Sequence, residues 1–282
     1  MRKFVSFAAG CLAAFVTLPA AAFARDDSPV AVPAPAASYA DLADLADGAP
    51  LVIRAQVRKL VAVEAARAPG LRAGRGRFYV EARTEAVVFG RSGLGEDLRY
   101  LVDLPVDPKG RPPALKKKSV VIFARAVPAR PGELQLVAND AQLVWDAALD
   151  TRLRAVLGEL NAPTAPRRVT GVREAIFVPG SLAGESESQL FLATADGEPA
   201  AVTVVRQPGQ TPRWSVSFSE VVGEAGLAPA RDTLGWYRLA CFLPAALPAE
   251  ANTSGTAENR LAAERDYRFV LDQLGTCPRT RK

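Results

Sequence analysis

The sequence predicts an α+β protein with a β-rich N-terminal unit, residues 38–144, and a C-terminal unit, residues 167–282, that combines a β-meander with helices. Short segments in which apolar and polar residues alternate recur in both units, and this period of two is typical of half-buried strands. Apolar residues at helical spacing follow capping residues at a few places. Pro163 and Pro166 interrupt the chain between the units, so residues 145–166 are predicted to form a bridging helix and a linker.

The first 24 residues have the three zones of a cleavable secretory signal. Arg2 and Lys3 give a positive start, and Phe4–Leu18 carries no charge. Small residues then lead to a predicted cleavage between Ala24 and Arg25, with a cut two residues earlier as the alternative. The apolar run is shorter than the roughly 20 residues that span a bilayer. We therefore expect Sec-type export to the periplasm or the outside.

A lipid anchor is the lesser alternative for this segment. Gly10-Cys11 faintly resembles the end of a lipobox, but the apolar run continues past Cys11 to Leu18, whereas a lipoprotein signal ends at its cysteine. Residues 25–37 are rich in Pro and Ala and are predicted to form an extended leader.

The N-terminal unit is predicted to begin with a short helix, which Ser38 and Asp41 cap and Gly48 ends. Five predicted strands follow: Leu51–Val63 with a possible bulge, Phe78–Phe89, Leu98–Leu104, Ser119–Ala124 and Leu134–Ala138. Five strands of this size predict a small barrel or a curled antiparallel sheet. An OB-like barrel is one form that the strand count allows.

The C-terminal unit is predicted from similar signals. Asp146 is expected to cap the bridging helix, which runs to Leu160. Four strands are predicted at Val172–Val178, Gln189–Ala195, Ala200–Arg206 and Arg213–Val222. Two helices should follow, the first capped by Asp232 and ending near Leu243, the second starting at Thr256 or Glu258 and ending at Gly275.

The sequence of 282 residues contains no histidine. Ser-His and Cys-His nucleophile pairs and zinc sites with histidine ligands are therefore excluded. No cofactor and no metal are predicted, and catalysis is not favoured. A hydrolase that uses two carboxylates is the enzymatic alternative.

Two cysteines remain once the signal is removed. Cys241 and Cys277 form an even pair in a chain expected to leave the cytosol, so a structural disulfide is predicted. A redox pair is the weaker alternative, because the sequence has no C-x-x-C motif.

Basic residues concentrate in two connections of the N-terminal unit. The predicted binding residues are Arg72, Arg75, Arg77, Lys116, Lys117 and Lys118. Residues 25–144 carry 18 basic and 14 acidic side chains, and residues 145–282 carry 15 and 16. If the two connections lie at one end of the sheet, they form a basic face that attracts phosphate or carboxylate groups. The plain alternative is that both are solvated loops. Nucleic acid is not expected, since the net charge is small.

Four segments resemble those of a group of uncharacterised exported proteins from sphingomonad-type alphaproteobacteria. They are Gly76–Ala82, Arg99–Pro105, Trp214–Glu220 and Leu234–Cys241. The resemblance covers most of the mature chain and implies export and the two-unit layout. It implies no activity and no site residues.

Together these observations predict a bacterial envelope protein that acts by binding. The expected partner is an anionic envelope polymer, a lipid headgroup or an acidic protein, and the mature chain is not expected to span a membrane. The carboxylate hydrolase and a structural or assembly role in the envelope stay as alternatives.

Overall fold

The computed structural model describes residues 36–91, 95–218 and 227–281, and the chain from Ala36 onward forms one compact unit. The first part contains α1 (Tyr39–Asp47), β1 (Leu51–Ala62), β2 (Arg75–Phe89), β3 (Asp97–Pro105), β4 (Ser119–Ala126), β5 (Leu134–Leu136) and β6 (Gln142–Val144). The second contains α2 (Ala147–Leu160), β7 (Val169–Pro179), β8 (Ser186–Thr194), β9 (Ala201–Arg206), β10 (Arg213–Ser217), α3 (Leu234–Ala240) and α4 (Ala257–Leu274). The α+β class predicted from the sequence is confirmed.

Strands β1–β6 form an antiparallel sheet, sheet A, in the order β3-β2-β1-β4-β5, and β6 also pairs with β4. Its two edges approach each other at a parallel bridge between Arg99 and Glu133, where the Arg99 amide donates to the Gly132 carbonyl at 2.8 Å, and again where the Asp103 amide donates to the Asn139 carbonyl at 2.7 Å. These isolated contacts do not close a barrel, so the curled sheet is the predicted form that the structure confirms. The three-residue strand β6 was not predicted, because it is too short to show an alternating pattern.

Strands β7–β10 form a second antiparallel sheet, sheet B, in the order β10-β9-β8-β7, which is the predicted meander. Strand β8 begins at Ser186, three residues before the predicted start, because polar Ser188 is buried and binds Asp266 of α4. The distance from Ser188 Oγ to Asp266 Oδ2 is 2.6 Å. The predicted extension of the last strand to Val222 lies partly outside the described residues.

The described residues form two hydrophobic cores, one of which both sheets share. The inward face of sheet A, with Ile53, Val80 and Ile122, encloses the first core alone. Its outward face presents Val52 and Phe123 to a second core, which also takes side chains from all four helices and from sheet B. This second core therefore joins residues on both sides of the predicted linker. The predicted domain limits themselves stay a prediction.

The helix caps follow the sequence closely, with one exception. Ser38 and Asp41 form a capping box at α1, and Asp146 and Thr256 cap α2 and α4. Helix α3, however, is capped by Thr233, whose hydroxyl accepts from the Trp236 amide. The prediction of Asp232 as this cap is wrong. Asp232 has a φ of 58°, which is not the extended conformation of an N-cap residue.

The predicted disulfide is confirmed. Cys241 is the C-cap of α3 and Cys277 follows α4, and their Cα atoms are 5.2 Å apart. The bond ties the last residues of the chain to α3. Structural disulfides persist outside the reducing cytosol, so this bond fits an extracytoplasmic protein.

One face of α1 is acidic and holds the C-terminal residues in place. Asp44 Oδ2 accepts from Arg279 Nε at 2.6 Å, and Asp41 Oδ2 accepts from the Thr280 hydroxyl at 2.6 Å. Burial disfavours the charged form of Asp41, but the hydrogen bonds from Thr280, Ser38 and Arg281 more than offset it and hold the pKa of this carboxyl below its ordinary value. Residues 275–281 are thus part of the folded structure.

Candidate functional site

Both basic connections leave sheet A at the same end. Arg75, which starts β2, pairs with Pro105, which ends β3, and the Val106 amide donates to the Gly74 carbonyl at 3.0 Å. The connection from β3 then crosses this end of the sheet and enters β4 at Ser119. We call this part of sheet A, residues 57–75 and 105–119, the basic end.

A turn at Leu115–Lys118, which we call the lysine turn, is fixed to β1 by two backbone hydrogen bonds. Lys117 N donates to Val57 O at 2.8 Å, and Val57 N donates to Lys118 O at 2.9 Å. Leu115 is buried among the inward side chains of sheet A and anchors the turn. Lys116, Lys117 and Lys118 are all exposed, so the turn presents three consecutive ammonium groups from a rigid backbone.

The conformation of Lys117 is unusual for its residue type. Its φ is 66°, and the Lys118 amide donates to the Leu115 carbonyl at 2.9 Å to close a turn. A side chain with a Cβ costs roughly 1–2 kcal/mol in this left-handed region, where glycine is favoured. A lysine here therefore carries a conformational cost that its role in the fold does not explain.

The six predicted binding residues divide into two groups. Arg77 is mostly buried and binds Asp103 with both ends of its guanidinium, from Nε to Oδ1 at 2.7 Å and from Nη2 to Oδ2 at 2.9 Å. Arg75 donates to the Asp103 carbonyl at 3.2 Å and lies 3.7 Å from the Asp140 carboxylate. Arg77 therefore joins β2 to β3, and Arg75 joins β2 to β3 and to the segment before β6.

The other four predicted residues are free to bind. Arg72 and the three lysines are exposed and form no ion pair within the described parts of the chain. Four nearby carboxylates pair with other cations: Glu81 with Lys59, Glu85 with Arg54, Asp103 with Arg77, and Asp107 with Arg111, whereas Glu64 has no ion pair among the described residues. The basic end is therefore more positive than the near-balanced composition of the unit indicates.

Sequence reasoning missed Arg58. It follows Val57 at a register shift in the β1–β2 pairing, is exposed, and has no ion-pair partner among the described residues. Because Val57 pairs with Lys117 and Lys118, Arg58 lies next to the lysine turn. The alternation of apolar and polar residues in β1 indicates only that Arg58 faces solvent. Only the pairing of β1 with the turn identifies it as part of the basic end.

The predicted cleavage site, between Ala24 and Arg25, lies outside the described residues. Among the residues that the structure describes, no cluster of three or more acidic or cysteine side chains is placed to hold a metal ion. Over the same ranges, no helix combines the length and the apolar character that crossing a bilayer requires.

Comparison with known proteins gives no family for this chain. No family model matches it, and no curated protein is similar to it.

Proposed function

We propose that this protein is an exported envelope module that binds an anionic partner at the basic end of sheet A, without catalysis. The single observation that carries the proposal is the docking of the lysine turn onto Val57, which holds three unpaired ammonium groups outward. Arg58 and Arg72 add two free guanidinium groups at the same end. Export fits the N-terminal signal pattern and the disulfide.

The chemistry of the basic end favours a polymer or surface with many negative groups. Lysine ammonium groups act as point charges on flexible stems, so they neutralise phosphate or carboxylate groups without demanding one geometry. Because the backbone of the turn is already ordered, binding does not add the cost of ordering a loop to the costs that every association carries. Binding driven by exposed charges weakens as salt increases.

Charge reversal at the turn tests the proposal. For the variant Lys116→Glu/Lys117→Glu/Lys118→Glu, we expect the dissociation constant for an anionic probe to rise about 100-fold, since each basic residue near an anionic surface contributes about 1 kcal/mol. Suitable probes are phosphatidylglycerol vesicles, lipopolysaccharide and an acidic cell-wall polymer, each titrated at low and at raised salt.

A matched variant separates local from overall charge. Arg125→Glu/Arg265→Glu/Arg268→Glu changes the net charge equally at exposed cations that form no ion pair among the described residues and lie away from the turn. We expect this control to retain most of the affinity. The proposal is wrong if no probe binds in a salt-sensitive manner, or if both variants weaken binding equally.

A further inference from the structure

A groove of about 830 Å³ crosses the outer face of sheet A and is formed by the end of β1, by β2 and β3, and by β5. Its volume lies in the range of sites that bind small molecules. Its lining shares residues 59–67 with the basic end, but the rest of the groove lies on the face of the sheet, away from the Lys116–Lys118 run.

An apolar stripe runs across the middle of this groove. Val61 pairs with Tyr79, and Tyr79 pairs with Leu101, so the three side chains lie side by side on neighbouring strands. Val61 is 42% exposed and Leu101 is 50% exposed, and the ring of Tyr79 is partly exposed between them. Outward positions elsewhere on these strands are mostly polar. The stripe is therefore an exposed apolar surface that the other described elements leave uncovered.

Charged and amide groups flank the stripe on both sides. One neighbouring row consists of Lys59, Glu81 and Arg99, and the row on the other side contains Arg77 and Asp103. The groove lining as a whole contains four basic and four acidic side chains together with two amides: Lys59, Arg67, Arg77, Arg99, Glu64, Glu81, Asp103, Glu133, Gln135 and Asn139. The charges therefore balance, in contrast to those at the basic end.

We infer that this groove binds an uncharged oligosaccharide. A pyranose ring has an apolar face of C–H groups that stacks on an aromatic ring, and the stripe offers the ring of Tyr79 with an apolar side chain on either side. Its hydroxyl groups both donate and accept, and carboxylates, guanidinium groups and amides on either side supply the complementary partners. A balanced lining exerts no net attraction on a polyanion.

The pairing of the carboxylates favours binding over hydrolysis. Three of the four carboxylates of the groove are held in ion pairs: Asp103 by Arg77, Glu81 by Lys59 at 3.5 Å, and Glu133 by Arg130 at 3.2 Å. Glu64 is the one carboxylate of this lining without an ion pair among the described residues, so the groove does not offer the two free carboxylates that glycoside hydrolysis uses. We therefore expect the oligosaccharide to be held and not cleaved.

The inference is tested by calorimetry and saturation-transfer NMR with cellotetraose, maltotetraose and chitotetraose. We expect at least one of these to bind with an affinity that salt does not change. Tyr79→Ala should weaken it at least about tenfold, whereas Tyr79→Phe, which keeps the ring, should stay within about threefold. Leu101→Asp should also weaken binding. Because Leu101 is half-exposed, we expect this variant to fold, so it tests the groove even if Tyr79→Ala unfolds.

Phe191→Ala, which removes a partly exposed ring from sheet B, is the matched control and should bind normally. The inference is overturned if none of the three sugars binds, if Tyr79→Ala binds as tightly as the wild type, or if only a peptide or a polyanion occupies the groove. Sugar binding that persists when Lys116–Lys118 are reversed separates this site from the basic end, so either proposal can fail alone.

Discussion

Replacing Asp47 with alanine is expected to lower the free energy of unfolding by about 3 kcal/mol. Asp47 accepts two hydrogen bonds from Arg238, at 2.8 Å from Nη1 and 3.1 Å from Nη2, and Arg238 is only 5% exposed. Removing the carboxylate leaves a buried guanidinium whose remaining bond is to the Pro166 carbonyl at 3.3 Å. Breaking one side of a buried ion pair costs about 3–5 kcal/mol, and Asp47 is 18% exposed, which favours the lower value.

Urea unfolding followed by tryptophan fluorescence measures this loss. The control is Glu96→Gln, which breaks the exposed pair of Glu96 with Arg83 and should cost less than about 1 kcal/mol. The double variant Asp47→Leu/Arg238→Met should recover part of the stability, because it removes the charge as well as its partner. A loss at Asp47 no larger than at Glu96 contradicts this interpretation.

Removing the disulfide is expected to have an effect of similar size. The bond between Cys241 and Cys277 closes a loop of 36 residues, for which chain entropy predicts about 3–4 kcal/mol. The bond also positions the tail whose Arg279 and Thr280 bind α1, so its loss should loosen these contacts as well. We expect Cys241→Ser/Cys277→Ser to unfold at a clearly lower temperature.

Reductant provides the internal control for this prediction. It should lower the unfolding temperature of the wild type to that of the double-serine variant and leave the variant unchanged. If reduction does not affect the wild type, the disulfide does not stabilise the fold as described.

The fold was largely predictable because its signals are local. The capping box at Ser38 and the alternating pattern of β1 specify a helix and a strand within a few residues, and the structure has both. What the sequence did not show depends on distant partners. The buried Ser188 looks like part of a polar loop until Asp266 of α4 supplies its hydrogen bond.

The candidate site was predictable only in part for the same reason. The run Lys116–Lys118 is visible in the sequence, but its docking on β1 is a contact across about 60 residues. Composition did not distinguish Arg77, which an ion pair with Asp103 holds in the fold, from Arg72, which is free. Likewise, the apolar stripe at Tyr79 is formed by strand register, which no single strand reveals.

The substitution Lys117→Gly tests the role of the lysine turn most directly, because stability and affinity should change in opposite directions. Glycine removes the conformational cost of the left-handed backbone at φ 66° in the folded state, but it also gives the unfolded chain more freedom, which offsets part of this gain. We therefore expect a net rise in the free energy of unfolding of about 0.5–1 kcal/mol. Affinity for the anionic probe should fall about fivefold, since one of the fixed cations is lost.

Ala129→Gly is the matched control for this measurement. Ala129 also has a left-handed φ, of 60°, but carries no charge, so the variant should gain stability and keep its affinity. The decisive comparison is the dissociation constant of the two glycine variants for phosphatidylglycerol vesicles at low salt. Weaker binding by Lys117→Gly alone is the predicted result, and equal binding by both variants and the wild type contradicts the proposed function.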